Sequence, residues 1–198
     1  MVICEDLLFS HGATAQSFSC QEYIFQEGTT AKFYFQIKKG TVKINNFTAN
    51  GKEIVHGLPF DGHCFGESYI FTQTPYGINA ITIMKCEIIR LEKEKFLQLL
   101  LSTPHLFLKI NKYTAERLHF RYLISSFLRE TNPLSRITKL LDYIKSYFKY
   151  EEQYSFMVPY TRTQLASLTG LRIETVIKTI KKMEFYGHVK IIERKIYY

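Results

Sequence analysis

The clearest pattern of apolar and polar positions lies near the C-terminus, in residues 159–186. Thr161 and Gln164 stand three apart before an apolar run, the spacing of a capping box in which the two side chains satisfy free N–H groups of the opening turn. Gly170 follows, and glycine suits a sharp turn because it adopts positive φ readily. The segment between them predicts a short helix whose buried side contains Leu165, Ala166 and Leu168.

A second helix is predicted directly after that turn. Val176, Ile180 and Met183 recur three and four apart, so they share one helical face. The opposite side is polar and mostly cationic, with Arg172 at its entrance and then Glu174, Thr175, Lys178, Lys181 and Lys182. This combination is typical of a helix-turn-helix, although an ordinary solvated helix hairpin also carries such charges. The final ten residues predict two short strands that form a small β wing.

Between residues 19 and 91 the pattern changes to short runs of β-branched and aromatic residues. Gly28, Gly40, Gly51 and Gly62 mark turns between these runs at regular spacing, as in antiparallel β proteins. The predicted strands are Tyr23–Phe25, Phe33–Ile37, Thr41–Phe47, Glu53–Leu58, Ile78–Met84 and Glu87–Leu91. The predicted fold class is therefore α+β, with an N-terminal β-barrel or jelly roll followed by helices.

A short helix from Lys93 to Leu101 and a long helix over residues 105–130 are predicted next. Along the long helix, apolar positions alternate four and three apart, which is the repeat of a coiled-coil seam. We expect this seam to form a dimer interface that contains Ile110, Tyr113, Arg117, Phe120, Ile124 and Phe127. The alternative is that the stripe packs on its own barrel, which is the commoner use of such a pattern.

Pro133 opens a further helix over residues 135–148 and predicts a domain boundary. The predicted organisation is a β domain in residues 1–104, a long helix in residues 105–131 and a winged helix in residues 132–198. Charge supports this division, because residues 131–198 hold 12 Lys and Arg against 6 Asp and Glu, out of a formal net charge of +8 for the 198-residue chain. A basic winged helix is suited to attract phosphates.

Other features limit the function classes. No apolar run approaches the length of a membrane span and the N-terminus lacks the charged region of a signal peptide, so we expect a cytoplasmic protein. Cys4, Cys20, Cys64 and Cys86 are widely spaced and show no zinc or iron–sulfur pattern, so we expect free thiols, no metal site and no cofactor. We find no nucleophile–base constellation and no phosphate loop, so we expect no enzymatic activity.

The order of elements, together with FQEGTTAKFYFQIKKGTVKI, NGKEIVHGLPFDGHCFGE, CEIIRLEKEKF and LASLTGLRIETVIKTIKKME, resembles the Crp/Fnr superfamily of transcription regulators over nearly the whole chain. The resemblance implies a cyclic-nucleotide-binding-like sensor domain, a dimerisation helix and a C-terminal winged helix-turn-helix. It further implies a homodimer whose recognition helices enter successive major grooves of a near-palindromic double-stranded operator. RNA polymerase and an unidentified small-molecule effector are further candidate partners. The alternative is a ligand-binding or interaction module whose winged helix contacts a protein.

The resemblance assigns an effector pocket to Gly66, Glu67, Ser68 and Tyr76. Cyclic-nucleotide binders of the superfamily have a Gly-Glu pair followed further on by Arg-Ser or Arg-Thr, which holds the phosphate. Here the corresponding stretch is TPYGIN and contains no arginine. Because a buried phosphate without a cationic partner is costly, we expect that the pocket does not bind cyclic AMP.

The resemblance also assigns the DNA-binding residues, with one departure from the superfamily pattern. Ile173 occupies the usual guanine-reading arginine position, and an arginine stands one place earlier. Ile173 could contact a thymine methyl or complete the core, Glu174 could accept from cytosine, and Lys178 could reach guanine or phosphate. Arg162, Thr163 and Gln164 are expected to contact the DNA backbone. The full expected set is Arg162, Thr163, Gln164, Arg172, Ile173, Glu174, Thr175, Lys178 and Lys182.

The adjacent His63 and Cys64 raise one further hypothesis, that of a haem or redox site beside the pocket. The simpler interpretation is a buried barrel cysteine next to a loop histidine. Relatives that sense oxygen use a closely spaced N-terminal cysteine cluster, which Cys4 and Cys20 cannot form, so we expect no iron–sulfur cluster.

Overall fold

The computed structural model describes residues 1–51 and 53–198, which divide into two compact domains, Met1–Leu118 and His119–Tyr198. The predicted α+β class is confirmed. The elements are α1 (Glu5–Ser10), β1 (Thr14–Phe18), β2 (Tyr23–Phe25), β3 (Phe33–Lys39), β4 (Val42–Phe47), β5 (Glu53–Gly57), β6 (Cys64–Phe65), α2 (Glu67–Thr72), β7 (Asn79–Thr82), β8 (Cys86–Glu92), α3 (Lys93–Ser102), α4 (Pro104–Phe127), α5 (Pro133–Tyr147), α6 (Arg162–Thr169), α7 (Ile173–Phe185), β9 (Lys190–Ile192) and β10 (Lys195–Tyr197).

The first domain contains two four-stranded antiparallel sheets, with strand orders β1-β8-β3-β6 and β2-β7-β4-β5. Buried side chains from both sheets belong to one hydrophobic core. Each predicted strand is present, with its ends within two residues of the predicted ones. The sequence prediction missed α1, β1, β6 and α2, which are all short.

Strand β3 is covered on both faces, so its side chains do not alternate between core and solvent. Four consecutive residues, 34–37, are buried. The ring of Tyr34 stacks on Phe96 of α3 with centroids 4.3 Å apart. The Gln36 side chain accepts a hydrogen bond from the Ile3 N–H at 3.0 Å and donates to its carbonyl at 2.8 Å, which holds the N-terminal segment against the sheet. A buried amide fully paired in this way avoids the cost of an unsatisfied polar group.

The N-terminal half of α4 is an integral part of the first domain. Leu106, Ile110 and Tyr113 are buried in its hydrophobic core. Tyr113 also donates a hydrogen bond from its hydroxyl to the Cys64 carbonyl at 3.1 Å. The first half of α4 therefore contributes buried side chains to the core that the two sheets form.

The second domain contains the end of α4, followed by α5, α6, α7 and the β9–β10 wing. Helices α5, α6 and α7 each contribute buried residues, and Ile196 adds one from the wing. The backbone of Phe156 and Val158 pairs with the other edge of β10, with Val158 N–H donating to Ile196 at 2.8 Å. The wing is thus anchored by a third extended segment that precedes α6. Within residues 1–51 and 53–198, none of the helices has the length and apolar character that a bilayer crossing requires.

Candidate functional site

The capping box predicted at the start of α6 is present. The Gln164 N–H donates to the Thr161 hydroxyl at 3.2 Å, and the Thr161 N–H donates to the Gln164 side chain at 2.7 Å. Gly170 ends the helix in the left-handed region with φ of 64°. These features fix where α6 begins and ends, and the turn leads directly into α7.

Helix α7 has the predicted two-sided character. Val176, Ile180 and Met183 are fully buried in the second domain. The side chains predicted to contact DNA remain at or near the surface: Arg172, Glu174, Lys178 and Lys182 are exposed, and Ile173 and Thr175 are half-buried. Arg172 is the N-cap residue of α7 and makes no side-chain capping bond. The first turns of α7 therefore present a compact set of polar groups at its exposed N-terminal end.

The three predicted backbone contacts at the start of α6 have different surroundings. Thr163 is exposed. The Gln164 side chain is committed to the capping box. The Arg162 guanidinium donates to the carbonyl of Arg194 in the wing at 3.2 Å, and the residue is half-buried. Of the three, only Thr163 has a side chain without an intramolecular partner among the described residues.

Arg136 of α5 was not identified from the sequence, yet it supports the turn between α6 and α7. Its guanidinium donates to the Thr169 carbonyl at 2.9 Å and to the Glu130 carbonyl at 3.1 Å. Thr169 is at the end of α6 and Glu130 is in the segment before α5. The Arg136 side chain therefore links α5 to both of them. No sequence signal distinguishes such an arginine from a solvated one, because its partners are backbone atoms.

The predicted effector pocket contains an ion pair between a fully buried carboxylate and an arginine whose side chain is 35% exposed. Gly66 is the left-handed N-cap of α2, and Glu67 follows with no exposed surface. The Arg117 guanidinium of α4 donates to both carboxylate oxygens of Glu67, at 2.7 and 3.0 Å. Thr114, one turn earlier on α4, donates to the same carboxylate at 3.3 Å. The pocket carboxylate therefore already has a cationic partner from within the chain.

Burial and the neighbouring charge have opposite effects on the pKa of Arg117. Burial lowers the pKa of Arg117, but the adjacent Glu67 carboxylate more than offsets that effect, and the net pKa is raised. The guanidinium also lies over the Tyr113 ring, 5.5 Å from its centroid. Breaking such a pair from one side leaves an uncompensated buried charge, which is strongly destabilising.

Aromatic rings occupy the space next to Gly66. Tyr76 stacks on Phe25 with centroids 3.7 Å apart and planes within 7°. A Cβ at position 66 would lie 3.0 Å from the Phe25 ring and 3.2 Å from the Tyr76 ring, so glycine is needed for this close approach as well as for its φ of 75°. Burial, and then the charge of Glu67, raise the pKa of Tyr76. Gly66, Glu67 and Tyr76 are thus brought together, and Ser68 follows half-buried on α2.

The environment of His63 and Cys64 opposes a reactive thiol. Cys64 is buried, and burial followed by the charge of Glu67 raises its pKa well above the ordinary value. Burial, together with nearby positive charge that includes Arg117, lowers the pKa of His63 to about 4. A neutral histidine and a protonated thiol at neutral pH match the simpler interpretation of this pair. Among the described residues no cluster of His, Cys, Asp and Glu suits a metal ion.

The residues of the predicted dimer seam do not share one environment. Ile110 and Tyr113 are buried in the core of their own domain, and Arg117 contacts Glu67. Phe120 stacks on Tyr143 of the second domain at 5.1 Å. Ile124 and Phe127 are half-buried. The apolar repeat that the sequence shows on α4 therefore serves, over its first half, the intrachain packing that was the alternative interpretation.

A different stripe of α4 is exposed. Leu108, Ala115 and Tyr122 stand seven residues apart, with Leu118 between the last two, so they share one helical face. Leu108 is 68% exposed, Leu118 is 48% exposed and Tyr122 is 65% exposed. Large apolar side chains at coiled-coil spacing on the outer face of a long helix are unusual for a surface that remains in water.

Comparison with known proteins identifies the fold. Residues 15–103 match the family described as cyclic nucleotide-binding domain. FixK2 from Bradyrhizobium japonicum has a similar structure, with a TM-score of 0.78 and 18% identity over 93% of this chain and 91% of that one. This chain shares its fold with that regulator. The resemblance predicted from the sequence is thereby confirmed.

Two further proteins are similar to this chain over most of their length. The c-di-GMP responsive global regulator CLP of Xanthomonas campestris has a TM-score of 0.73 and 19% identity, and the match covers 97% of this chain and 96% of that one. A protein of Rhizobium leguminosarum bv. viciae described as "Probable transcriptional activator" is 22% identical over 170 residues, which are 85% of this chain and 70% of the relative.

The Glu67–Arg117 ion pair gives the first testable prediction. Replacing Arg117 with alanine leaves the buried Glu67 without a cation, so we expect Arg117→Ala to lower the free energy of unfolding of the first domain by about 2–3 kcal/mol, less than for a fully buried pair because the Arg117 side chain is 35% exposed. Chemical denaturation followed by circular dichroism measures the change.

Glu116→Ala is the matched control, because Glu116 is the preceding residue on α4 and its ion-pair partner, Lys112, lies 3.9 Å away at the surface. We expect this control to cost less than about 1 kcal/mol. Equal losses of unfolding free energy for Glu116→Ala and Arg117→Ala would show that the Glu67–Arg117 pair stabilises the fold no more than a surface ion pair does.

Proposed function

We propose that this protein is a sequence-specific, DNA-binding transcription regulator that acts as a homodimer. The observation that carries the proposal is α7, whose exposed N-terminal half presents Arg172, Glu174 and Lys178 beyond a capped helix and a left-handed glycine turn. A helix exposed in this way, after such a turn, fits the major groove, where its first residues meet base edges. The basic excess of residues 131–198 favours phosphate attraction.

The names of the relatives support the same function. The protein from Rhizobium leguminosarum is named for transcriptional activation, and CLP is named as a global regulator that links signalling to gene expression. Identity near 20% leaves room for a different operator and a different signal. The sequence of the recognition helix, with Ile173 in place of an arginine, favours an operator that differs from those of the common superfamily pattern.

For the effector pocket we propose that cyclic AMP is not the ligand. TPYGIN supplies no arginine for a phosphate, and Glu67 is already paired with Arg117 at 2.7 Å. The stacked rings of Phe25 and Tyr76 fill the space against Gly66. A cyclic nucleotide would have to displace both the ring stack and the ion pair, and TPYGIN offers no cation for its phosphate.

The proposed mechanism is a two-state change carried by α4. Arg117 and Thr114 join this helix directly to Glu67 at the start of α2. A signal that altered the surroundings of Glu67 would change the contacts that hold α4, and α4 leads into the DNA-binding domain. The signal would shift the equilibrium between the two states only by the difference between its free energies of interaction with them.

The experiment that tests the function is selection of bound duplexes from a random DNA pool, followed by sequencing. We expect a two-fold-symmetric motif with half-sites about one helical turn apart. Enrichment of no motif at several salt concentrations, with and without a metabolite mixture, would contradict DNA recognition. It would favour the second candidate, a winged helix that contacts a protein.

Lys178 is expected to read the selected site. It is exposed one turn beyond Glu174 on α7. If Lys178 contacts a base, Lys178→Ala weakens binding to the selected duplex by about 1–3 kcal/mol per half-site and relaxes the preference at one position. Fluorescence anisotropy on the selected duplex and its single-base variants measures both effects. Lys85→Ala removes an exposed lysine from the first domain and is the control; equal losses in the two variants would remove Lys178 from the base-reading set.

Cyclic AMP is expected to leave operator affinity unchanged. Calorimetry on the whole protein should detect no saturable heat with cyclic AMP up to millimolar concentration, because TPYGIN supplies no arginine for its phosphate and Arg117 is paired with Glu67. Cyclic di-GMP is a useful second ligand to test, since CLP is named as responsive to it. Saturable cyclic AMP binding that Glu67→Gln abolishes would show that the ion pair opens for a nucleotide and would overturn this part of the proposal.

The dimer is expected to form through Leu108, Ala115, Leu118 and Tyr122. Leu118→Glu places a charge in the middle of this stripe, so we expect the variant to sediment as a monomer at concentrations where the unaltered protein is a dimer. Ile54→Glu is the control, because Ile54 is a similarly exposed aliphatic residue on β5, at 41% exposure. A dimer that survives Leu118→Glu would place the interface elsewhere.

A further inference from the structure

The C-terminal end of α7 places two aromatic side chains in solvent. Phe185 is the last residue of the helix and is 84% exposed, and Tyr186 is its C-cap and is 61% exposed. Phe185 lies two residues beyond the buried Met183, about 200° around the helix, so it cannot join the apolar stripe that packs in the second domain. The two rings meet edge to face with centroids 5.2 Å apart. They form one apolar surface that the core of the domain does not cover.

Hydrogen bonds hold the backbone that carries this aromatic pair. The Tyr186 N–H donates to the Lys182 carbonyl at 3.1 Å, which closes the end of the helix. Gly187 follows with φ of 73°. Its carbonyl accepts hydrogen bonds from the Gln153 side chain at 3.1 Å and from the Tyr154 hydroxyl. A hydrogen-bonded turn, and not a frayed helix end, therefore presents the two rings.

Lysines flank the aromatic pair. The Lys182 ammonium lies 5.9 Å from the centroid of the Tyr186 ring, and the Lys190 ammonium lies 4.3 Å from the centroid of the Tyr154 ring. Residues 181–190 contain three lysines and one glutamate. Neither Lys182 nor Lys190 has an ion-pair partner in the part of the chain that the structure describes. The charge that complements this surface is therefore negative.

We propose that the surface formed by Phe185, Tyr186, Lys182 and Lys190, which we call the α7-end surface, binds an acidic segment of a partner protein. An apolar side chain of that segment covers the two rings, and its carboxylates pair with the lysines. Tyrosine and phenylalanine are enriched in the cores of protein interfaces, and a covered aromatic side chain buries about 150–250 Å². Two such rings supply the apolar contact that a short segment needs, and the lysines select an acidic one.

DNA and a membrane fit the α7-end surface less well. Helix α7 rises about 18 Å between Ile173 and Phe185, so the rings lie at the end opposite to the one proposed to read base edges. A membrane-binding helix presents an apolar face along its length, whereas the exposed positions of α7 before the rings include Glu174, Lys178 and Lys181. The inference goes beyond the proposed function and does not depend on it, because the two ends of α7 would be used separately.

The test selects peptides that bind the whole protein. The protein is panned at low salt against a displayed library of random short peptides, and we expect the enriched ones to contain several Asp or Glu and a large apolar residue. Fluorescence anisotropy with a labelled synthetic copy then measures affinity. Phe185→Ala should weaken binding about tenfold or more, because it removes one of the two rings. Lys190→Ala should weaken binding at low salt and much less at high salt, because salt screens the exposed charges.

Ile192→Ala is the matched control, because Ile192 is also an apolar surface residue of the second domain, 52% exposed at the end of β9. We expect this control to leave peptide affinity unchanged. The inference is overturned if panning enriches no acidic peptide. It is also overturned if the selected peptide binds Phe185→Ala as tightly as the unaltered protein, or if Ile192→Ala and Phe185→Ala lose affinity equally.

Two further measurements test the other classes of partner. Phe185→Ala should leave affinity for the selected operator unchanged, and a loss would assign the rings to DNA and overturn the inference. Sedimentation with vesicles of phosphatidylcholine and phosphatidylglycerol that is lost in Phe185→Ala would assign them to a membrane and overturn it as well. Failure to select any operator would contradict the proposed function alone, because peptide binding is measured without DNA.

Discussion

A carboxylate that is removed from water must be protonated or paired with a cation. In this protein the carboxylate lies on the short helix α2, and its cation comes from the long helix α4, so the ion pair joins the two helices. Glu67 has no exposed surface, and Arg117 supplies its charge partner from α4. The cost of leaving either group alone is several kcal/mol, so the two helices are held at a fixed separation in any state that keeps the pair. The hydrogen bond from Thr114 adds to the same constraint.

The ion pair also explains the composition of its surroundings. Rings of Phe25 and Tyr76 fill the space beside Gly66, and Cys64 packs as an inert thiol with a raised pKa. Because Glu67 is removed from water, its electrostatic attraction to Arg117 is screened less than at a fully exposed site. The pocket thus combines stacked aromatic rings, the Glu67–Arg117 pair and a buried Tyr76 hydroxyl that has no hydrogen-bond partner among the described residues. This composition supports the proposal that it differs from a cyclic AMP site.

The sequence predicted those features whose cause is local. Thr161, Gln164 and Gly170 identify α6 because capping and positive φ depend on neighbouring residues only. The buried face of α7 followed from helical period alone. Short elements such as β1 and β6 were missed because they are defined by pairing with distant strands: β1 with β8, and β6 with β3. Propensity carries little information about such pairing.

The partners of individual side chains were the least predictable part of the candidate site. The repeat through Ile110 and Tyr113 predicted an apolar stripe correctly, but period alone does not say whether a stripe packs on its own domain or on a second copy. In the sequence, Arg117 is an isolated charge within that stripe, and its partner Glu67 lies fifty residues earlier in the chain. Helical period gives no information about a partner so distant in sequence. Arg136 and Arg162 donate to backbone carbonyls. Because every residue has a backbone carbonyl, the sequence does not identify these partners.

The burial of Leu106, Ile110 and Tyr113 has a consequence for how such proteins diverge. Because these residues complete the core of the sheet domain, the first half of α4 cannot be separated from the sheets without exposing that core. A recombination event that joined the sheets to a different output domain at the start of the helix would yield an unstable protein. The compact first unit ends further along, near Leu118. An output domain exchanged at that point would leave the buried half of α4 with the sheets whose core it completes.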